Sequence, residues 1–522
     1  MLFKVYTSFR EKDNQHIYPS GVFCFRWIFF FGLFLGTHLH AQYFPILKWE
    51  EQYFFKGQAE PVDLLYDGQG YLWAAGNLED SKGNCLSPWV LKIDTLGQEV
   101  ARYTFPLISC KQIHSISLCD DGGIIYTGVS SDLPKEIAYQ KQFFEGDLWV
   151  GKISALGLPE WEKTFGGTLL DMGNGISRGE FNEYVIAGIT HSYDGDVGKN
   201  MGASDVWLVY INDKGKLLES KVIGKGGHEW ATDVIACQNG DFLLVGYQHL
   251  TRGEEANLYG NGWLCRIDKF GKVVWERSIS APEGGYFTDV LETPARQIRV
   301  AGQQYVDGRA RQFWNLHFTD TGLLLDQQSF GTGLTETSSA IMYTEGGGYL
   351  QSGYSEESLY KVSKQENPLY KGGGDAWFFR YNHLSELIWK ETFGSKGDES
   401  CVAVAEIGKG KWMALGSKRT PKAGARKNVW ITRIEEYPCE AIQADAFIRD
   451  KGKLKVGQPL SFKAGYRFGE RFLWEFGDGT TSELPNPQKA YLQKGRYEVA
   501  LTVFHNENCF QRVVMAEPLK IN

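Results

Sequence analysis

The chain alternates short apolar runs with polar, glycine-rich turns. No segment sustains a 3.6-residue apolar period, which excludes long amphipathic helices. The stretch Gly146–Thr190 shows the pattern most clearly: GDLWVGKISALGLPEWEKTFGG, a short polar passage, then GISRGEFNEYVIAGIT. Its landmarks return seven times. Strand-end glycines stand at Gly76, Gly128, Gly188, Gly246, Gly302, Gly353 and Gly416, and tryptophans of "WVxKI" strands at Trp89, Trp149, Trp207, Trp263, Trp314, Trp377 and Trp430, at intervals of 51 to 63 residues. A fixed landmark order at such a period defines a repeat architecture.

Each unit resolves into four strands. In the unit from Gly224, ATDVIAC suits an innermost strand, and FLLVG follows a Gln238–Asp241 turn. GWLCRID comes after a long polar loop, and Asp268–Gly271 turns the chain into KVVWERSI. The D-x-x-G turn, with glycine supplying the positive φ at its exit, recurs at Asp94–Gly97 and Asn212–Gly215, with variants at Ser154–Gly157 and Thr319–Gly322. It is lost at Asn382–Ser385. Seven units of four strands predict an all-β fold, a seven-bladed β-propeller with four-stranded blades. The ends of the array agree. ILKWEEQYF (Ile46–Phe54) reads as a fourth strand ahead of the first complete unit, and VWITRI (Val429–Ile434) as a third strand lacking a fourth. The two fragments complete one blade, so the N-terminal strand closes the ring and removes two exposed edges.

The K-I-D-x-x-G-x-x-x-W run resembles the tryptophan-docked repeats of quinoprotein-type propellers. That resemblance implies that Trp161, Trp275, Trp389 and Trp49 pack between blades and are pinned by the turns. It does not extend to the quinone cofactor, because no adjacent cysteine pair exists. After YPCEAIQAD, the stretch VGQPLSFKAGYRFGERFLWEFGDGTTSELPNPQKAYLQKGRYEVALTVF resembles a PKD domain, an immunoglobulin-like sandwich, through Trp474, Phe476, Gly477, Asp478, Gly479 and Tyr497, with Glu475 where the family usually has Asp. The alternation in GRYEVALTV and the Asp478-Gly479 turn point to the same fold. The expected domains are a signal peptide at 1–41, the propeller at 42–436, a linker at 437–445 and the PKD domain at 446–522. The layout resembles secreted Bacteroidetes proteins in which such arrays precede PKD modules and a sorting domain. This chain stops at Asn522, without room for a typical sorting domain.

Lys4, Arg10, Lys12 and Arg26 precede the apolar core Trp27–Gly36 and then THLHAQ, the order of a secretory signal with cleavage after Ala41. The apolar run falls short of the ~20 residues a spanning helix needs, so export to the periplasm or cell surface is expected, with no integral membrane span after cleavage. The formal charge is −8, and −10 once a leader of four basic and two acidic residues is removed. That balance gives no general attraction for nucleic acid. In an oxidising compartment, Cys439 and Cys509 bracket the sandwich and form the expected disulfide; Cys119 and Cys237 occupy equivalent repeat positions and read as buried apolar residues.

Long, variable loops joining second to third strands are the expected binding face. They carry Tyr139, Phe143, Phe144, Tyr259, Tyr360 and Tyr370, for which packing of the loops against one another is the more economical explanation. Aligning the repeats sets Asp171, Glu229, Glu336 and Glu399 at the start of the innermost strand. There they could share a channel mouth and hold a cation or raise a carboxyl pKa, though local turn capping explains them more economically. Asp194 and Asp196 have the D-x-D spacing of calcium loops without the later carboxylate. No other cofactor is expected: the histidines show no zinc spacing, and no nucleophile elbow or phosphate loop is present. The sequence reads as a secreted, monomeric, non-enzymatic binding, adhesion or display protein whose loop face takes a glycan or surface protein, with the PKD module as spacer or adhesion domain. The alternative is a carbohydrate-active hydrolase or lyase with a deep polar pocket and two carboxylates ~5–10 Å apart. A structural component of a larger assembly would instead show a broad apolar patch.

Overall fold

Every strand-end glycine faces its tryptophan across the sheet. In a computed structural model describing residues 43–79, 85–106, 109–131, 145–249, 260–306, 310–331, 335–356, 374–420, 426–450, 452–506 and 508–522, the seven cross-strand pairs are Gly76–Trp89, Gly128–Trp149, Gly188–Trp207, Gly246–Trp263, Gly302–Trp314, Gly353–Trp377 and Gly416–Trp430. All seven tryptophans are buried. The glycine is needed because the innermost strand passes so close that a Cβ on Gly128, Gly188 or Gly416 would overlap a backbone carbonyl.

Six sheets each run antiparallel in chain order: 58–104, 110–165, 171–223, 228–279, 285–330 and 335–393. The seventh joins Lys411–Arg419 and Asn428–Pro438 to the N-terminal strand Tyr43–Tyr53. Its innermost strand is split into Asp398–Glu399 and Ala403–Gly408, both paired with Lys411–Arg419. The ring closes on itself. Ala59, Leu64 and Leu72 of the first blade share a core with Met413, Leu415, Val429 and Ile431 of the last, and the Ala59 amide donates to the Lys427 carbonyl. In the closing strand, Glu50 accepts from the Trp430 indole at 2.8 Å and pairs with Lys418 at 2.9 Å. No α-helix occurs among the described residues.

The outer tryptophans dock as the repeat pattern implies. Trp161 donates to the Asp213 carbonyl and lies over Gly215, the turn glycine of the next blade. Trp275 does the same with Asp320 and Gly322, and Trp49 covers Gly97 across the closure. Trp389 instead donates to Glu436 at 2.6 Å. The sixth blade, whose sequence lacks the turn glycine, still makes the turn: Ser385 adopts φ 65° and its amide donates to the Asn382 carbonyl.

The C-terminal sandwich begins at Gln443, whose strand Gln443–Ile448 pairs with Pro459–Arg467. The facing sheet holds Thr481–Ser482, Arg471–Glu475, Ala500–Phe504 and Phe510–Val514. Trp474, Phe476, Phe462, Tyr491, Leu501 and Val503 fill the space between them. The Tyr491 hydroxyl donates to the Phe476 carbonyl, and Lys489 holds Asp478 at 2.7 Å. A disulfide joins Cys439 to Cys509. Phe44, from the strand that closes the ring, belongs to this same core and packs on His505, Phe468 and Tyr437 with ring centroids 4.3, 5.8 and 6.2 Å away.

Candidate functional site

Along each innermost strand of the first six blades one extra residue is inserted opposite the strand-end glycine. The inserted residues are Val62, His114, Asn174, Thr232, Thr288 and Ser339, and the register slips around each. A bulge re-aims side chains locally, and here it turns them into a central channel of about 550 Å³ lined by residues of all seven blades. Three of the inserted side chains latch one blade to the next. His114 Nδ1 meets the Gly173 carbonyl at 3.0 Å, Asn174 donates to the Ala231 carbonyl at 2.7 Å, and Thr232 donates to the Phe287 carbonyl at 2.8 Å. Burial lowers the His114 pKa, so its ring is neutral and Nδ1–H is the donor.

The residue after each bulge is Asp in three blades: Asp63, Asp233 and Asp289. All three line the channel and are half-buried. Asp63 accepts from the Leu64 amide, the Ile116 amide and the Ser115 hydroxyl at 2.8, 2.9 and 3.1 Å. Asp289 accepts from its neighbour's amide, Val290, at 2.6 Å and from the Ile341 amide of the next blade at 2.8 Å. The Asp233 and Asp289 carboxyls are neighbours in the channel wall and influence each other's ionisation. Enclosure by the protein pushes Asp289 up to about 6 against the pull of its amide donors and of Asp233. Enclosure, then the Asp289 charge, holds Asp233 well above the usual carboxylate range, and enclosure raises Asp63 as well. Two adjacent carboxyls that cannot both ionise share a proton. The other lining groups are aliphatic or neutral, apart from Arg178, which is engaged with Asp120 and Asn182.

The sequence signal for this site was an Asp at one place in three otherwise apolar runs, PVDLLY, ATDVIA and FTDVLE. The aligned acids Asp171, Glu229, Glu336 and Glu399 are not among the channel-lining residues. Each is buried to 2% exposure or less at a different blade boundary: Asp171 and Glu336 face Asp147 and Gln312 of the preceding blade across Gly166 and Gly331, and Glu229 lies beside Asp205. The structure therefore does not gather the four together. Two of them are drawn sideways to the loop before the strand: Asp171 accepts from the Gly167 amide at 2.8 Å and Glu399 from the Ser395 amide at 2.9 Å. Asp194 and Asp196 serve a neighbouring loop, accepting from the Thr168 amide at 2.8 Å and the Gly166 amide at 3.2 Å. No group of three or more His, Cys, Asp or Glu side chains placed to hold a metal occurs among the described residues. Tyr139, Phe143, Phe144, Tyr259, Tyr360 and Tyr370 lie outside the described residues, as does the leader. No helix of the described residues is long and apolar enough to cross a membrane.

Residues 448–515 match the PKD domain family. A microbial collagenase from Vibrio alginolyticus is 25% identical over 158 residues, 29% of this chain, and the chain spans about a fifth (19%) of that protein's length. Among solved structures, a protein of unknown function from Dyadobacter fermentans aligns over 75% of this chain and 99% of its own at 11% identity, TM-score 0.45. The WD40 domain of Neurospora crassa Pan2 aligns over 75% and 95% at 9% identity, TM-score 0.43. A PL25 ulvan lyase aligns over 74% and 96% at 9% identity, TM-score 0.43. Its seven antiparallel sheets and the family match at 448–515 make the chain an all-β propeller-type domain followed by a PKD domain.

Proposed function

We propose that this is an exported binding protein whose propeller takes a hydroxyl-rich ligand, a glycan, at the channel, with the PKD domain holding the ring in a fixed orientation. One observation carries the reading. The channel offers acceptor oxygens and short polar side chains, yet two of its acids are already engaged: Asp63 by the Leu64 amide of its own blade and the Ile116 amide and Ser115 hydroxyl of the next, and Asp289 by the Val290 amide of its own blade and the Ile341 amide of the next. Acids held this way can accept hydrogen bonds from a ligand without being free to shuttle protons. The volume, about 550 Å³, falls within the range of small-ligand sites.

A second reading, hydrolysis or lysis of a carbohydrate, is favoured by the pair Asp233–Asp289, which keeps a proton near neutral pH as a general acid must. It is disfavoured by the adjacency of the two carboxyls, since glycosidase carboxyls stand ~5 Å or more apart. Glycan-array binding with product release read in parallel separates the two. Binding without turnover, weakened in Asp63→Asn, is the expected result. Turnover that disappears in both Asp233→Asn and Asp289→Asn would replace it with the enzymatic reading.

A further inference from the structure

The four blade-boundary acids share a geometry but not a means of neutralisation. Asp171 is met by two hydroxyls, Thr190 and Ser192, besides the Gly167 amide. Glu399 has the Ser395 amide and hydroxyl and the Lys418 ammonium at 3.4 Å. At the boundary of the third and fourth blades these partners are missing. Across the ladder from Glu229 stands Gln248, and beyond it Asn261, so that Glu229, Gln248 and Asn261 form one row. Asp205 of the third blade lies against Glu229.

All four side chains are at least 97% buried, and Glu229 Oε1 and Oε2, Asp205 Oδ1, Gln248 Oε1 and Asn261 Oδ1 have no hydrogen-bond partner. The Lys225 amide and the Gln248 carboxamide face Glu229 without completing a hydrogen bond to it. The Lys225 ammonium is turned to Glu276 at 2.5 Å. The other Asp205 oxygen is occupied by the Met201 and Gly202 amides. Glu229 and Gln248 open onto a cavity of about 310 Å³ bordered also by Trp263, Glu276 and Met201.

Two buried carboxylates without a counter-charge are strongly unfavourable. A buried polar atom left unpaired adds a further cost. We infer that the third–fourth blade boundary is a binding site for a divalent cation of the calcium class, held by Glu229, Asp205 and Gln248. The donor set is oxygen only, which suits calcium and excludes metals that seek nitrogen or sulfur. Calcium takes six to eight oxygens, and the cavity has room for water to complete the shell. Asn261 stands next in the row, close enough in the ladder to orient such water.

Trp263 borders the cavity and supplies the readout. Terbium, a calcium surrogate, is titrated into chelator-treated protein with excitation of tryptophan, alongside thermal unfolding in calcium and in chelator. The expected result is sensitised terbium emission displaced by calcium, and a melting temperature raised by calcium. Both should be lost in Glu229→Gln, which keeps the shape of the site and unfolds in chelator no earlier than the wild type. Gln248→Met, a second and uncharged change, should weaken terbium binding at least tenfold, while Asp194→Asn should leave it unchanged. Absence of emission and of a calcium shift in the wild type would overturn the inference. So would emission that survives Glu229→Gln, or that is lost with Asp194→Asn alone.

Discussion

Replacing Asp233 by Asn tests whether the channel pair holds a shared proton. In the folded chain Asp289 titrates at about 6, against an ordinary 3.8. That difference is about two pK units, or about 3 kcal/mol at ~1.4 kcal/mol per unit. Both side chains border an open channel and are half-buried, so water screens part of this and about 1–2 kcal/mol is the working figure. The sign follows from proton binding. Between about pH 4 and 6 the unfolded chain has released this proton and the folded chain has not, so stability falls as pH rises through that window. Below it both states are protonated and nothing is lost. The facing charged group is Asp63, also raised, while His114 is neutral and Arg178 is engaged elsewhere.

Asp233→Asn keeps a hydrogen-bond donor toward Asp289 and removes one charge. Urea unfolding followed by tryptophan fluorescence at a series of pH values should show equal midpoints near pH 4. At pH 8 the variant should be the more stable, because it no longer ionises Asp233, which burial and the Asp289 charge hold well above its ordinary range. The fall that remains, about 1–2 kcal/mol between pH 4 and 6, is that of Asp289. Asp289→Asn should gain less, because two amides lose a charged acceptor. An Asp233→Asn protein that follows the wild-type pH dependence, or is weaker at pH 8, would refute the shared-proton argument.

Phe44→Ala should cost about 3–5 kcal/mol and lower the melting of ring and sandwich together, because this side chain packs on Tyr437, Phe468 and His505; scanning calorimetry checks it. Gly224→Ala should destabilise by about 1–3 kcal/mol, as its Cβ would fall on the Asp205 carboxylate, whereas Gly198→Ala, in open space, tests only the cost of a positive φ. Removing the disulfide with Cys439→Ser and Cys509→Ser opens a link 70 residues long and should cost about 4 kcal/mol, read as a lower urea midpoint for the sandwich under oxidising conditions.

The repeat was legible because each landmark has one physical job. Trp149 is large and buried, and Gly128 is the residue that lets the neighbouring strand approach it, so neither can drift. The half-blades at the two ends were legible because a fourth strand without its blade must find one. The channel was not, because a bulge changes which residue points inward. Counting from the strand start selects Glu229, whereas the inserted Thr232 brings Asp233 to the lumen. Glu229 itself was legible as an equivalent position but not in its direction, since facing Asp205 depends on the packing of two blades. The turn at Asn382–Ser385 shows the opposite case, in which the fold imposes a positive φ on a serine that the sequence does not advertise.

The strand Tyr43–Tyr53 makes the two domains one mechanical body. Its later part closes the ring, with Trp49 over Gly97 and Glu50 bridging Trp430 and Lys418. Its beginning runs antiparallel to Glu435–Pro438, which leads into the sandwich, and places Phe44 in the sandwich core. The Cys439–Cys509 bond ties that exit to the far sheet. A flexible linker would let the sandwich wander while the ring bound its ligand; here the exit strand is paired until the residue before the disulfide. Whatever surface the sandwich contacts therefore fixes the direction in which the channel opens. Loosening the closing strand would free both at once, so ring closure and domain orientation are held by the same eleven residues.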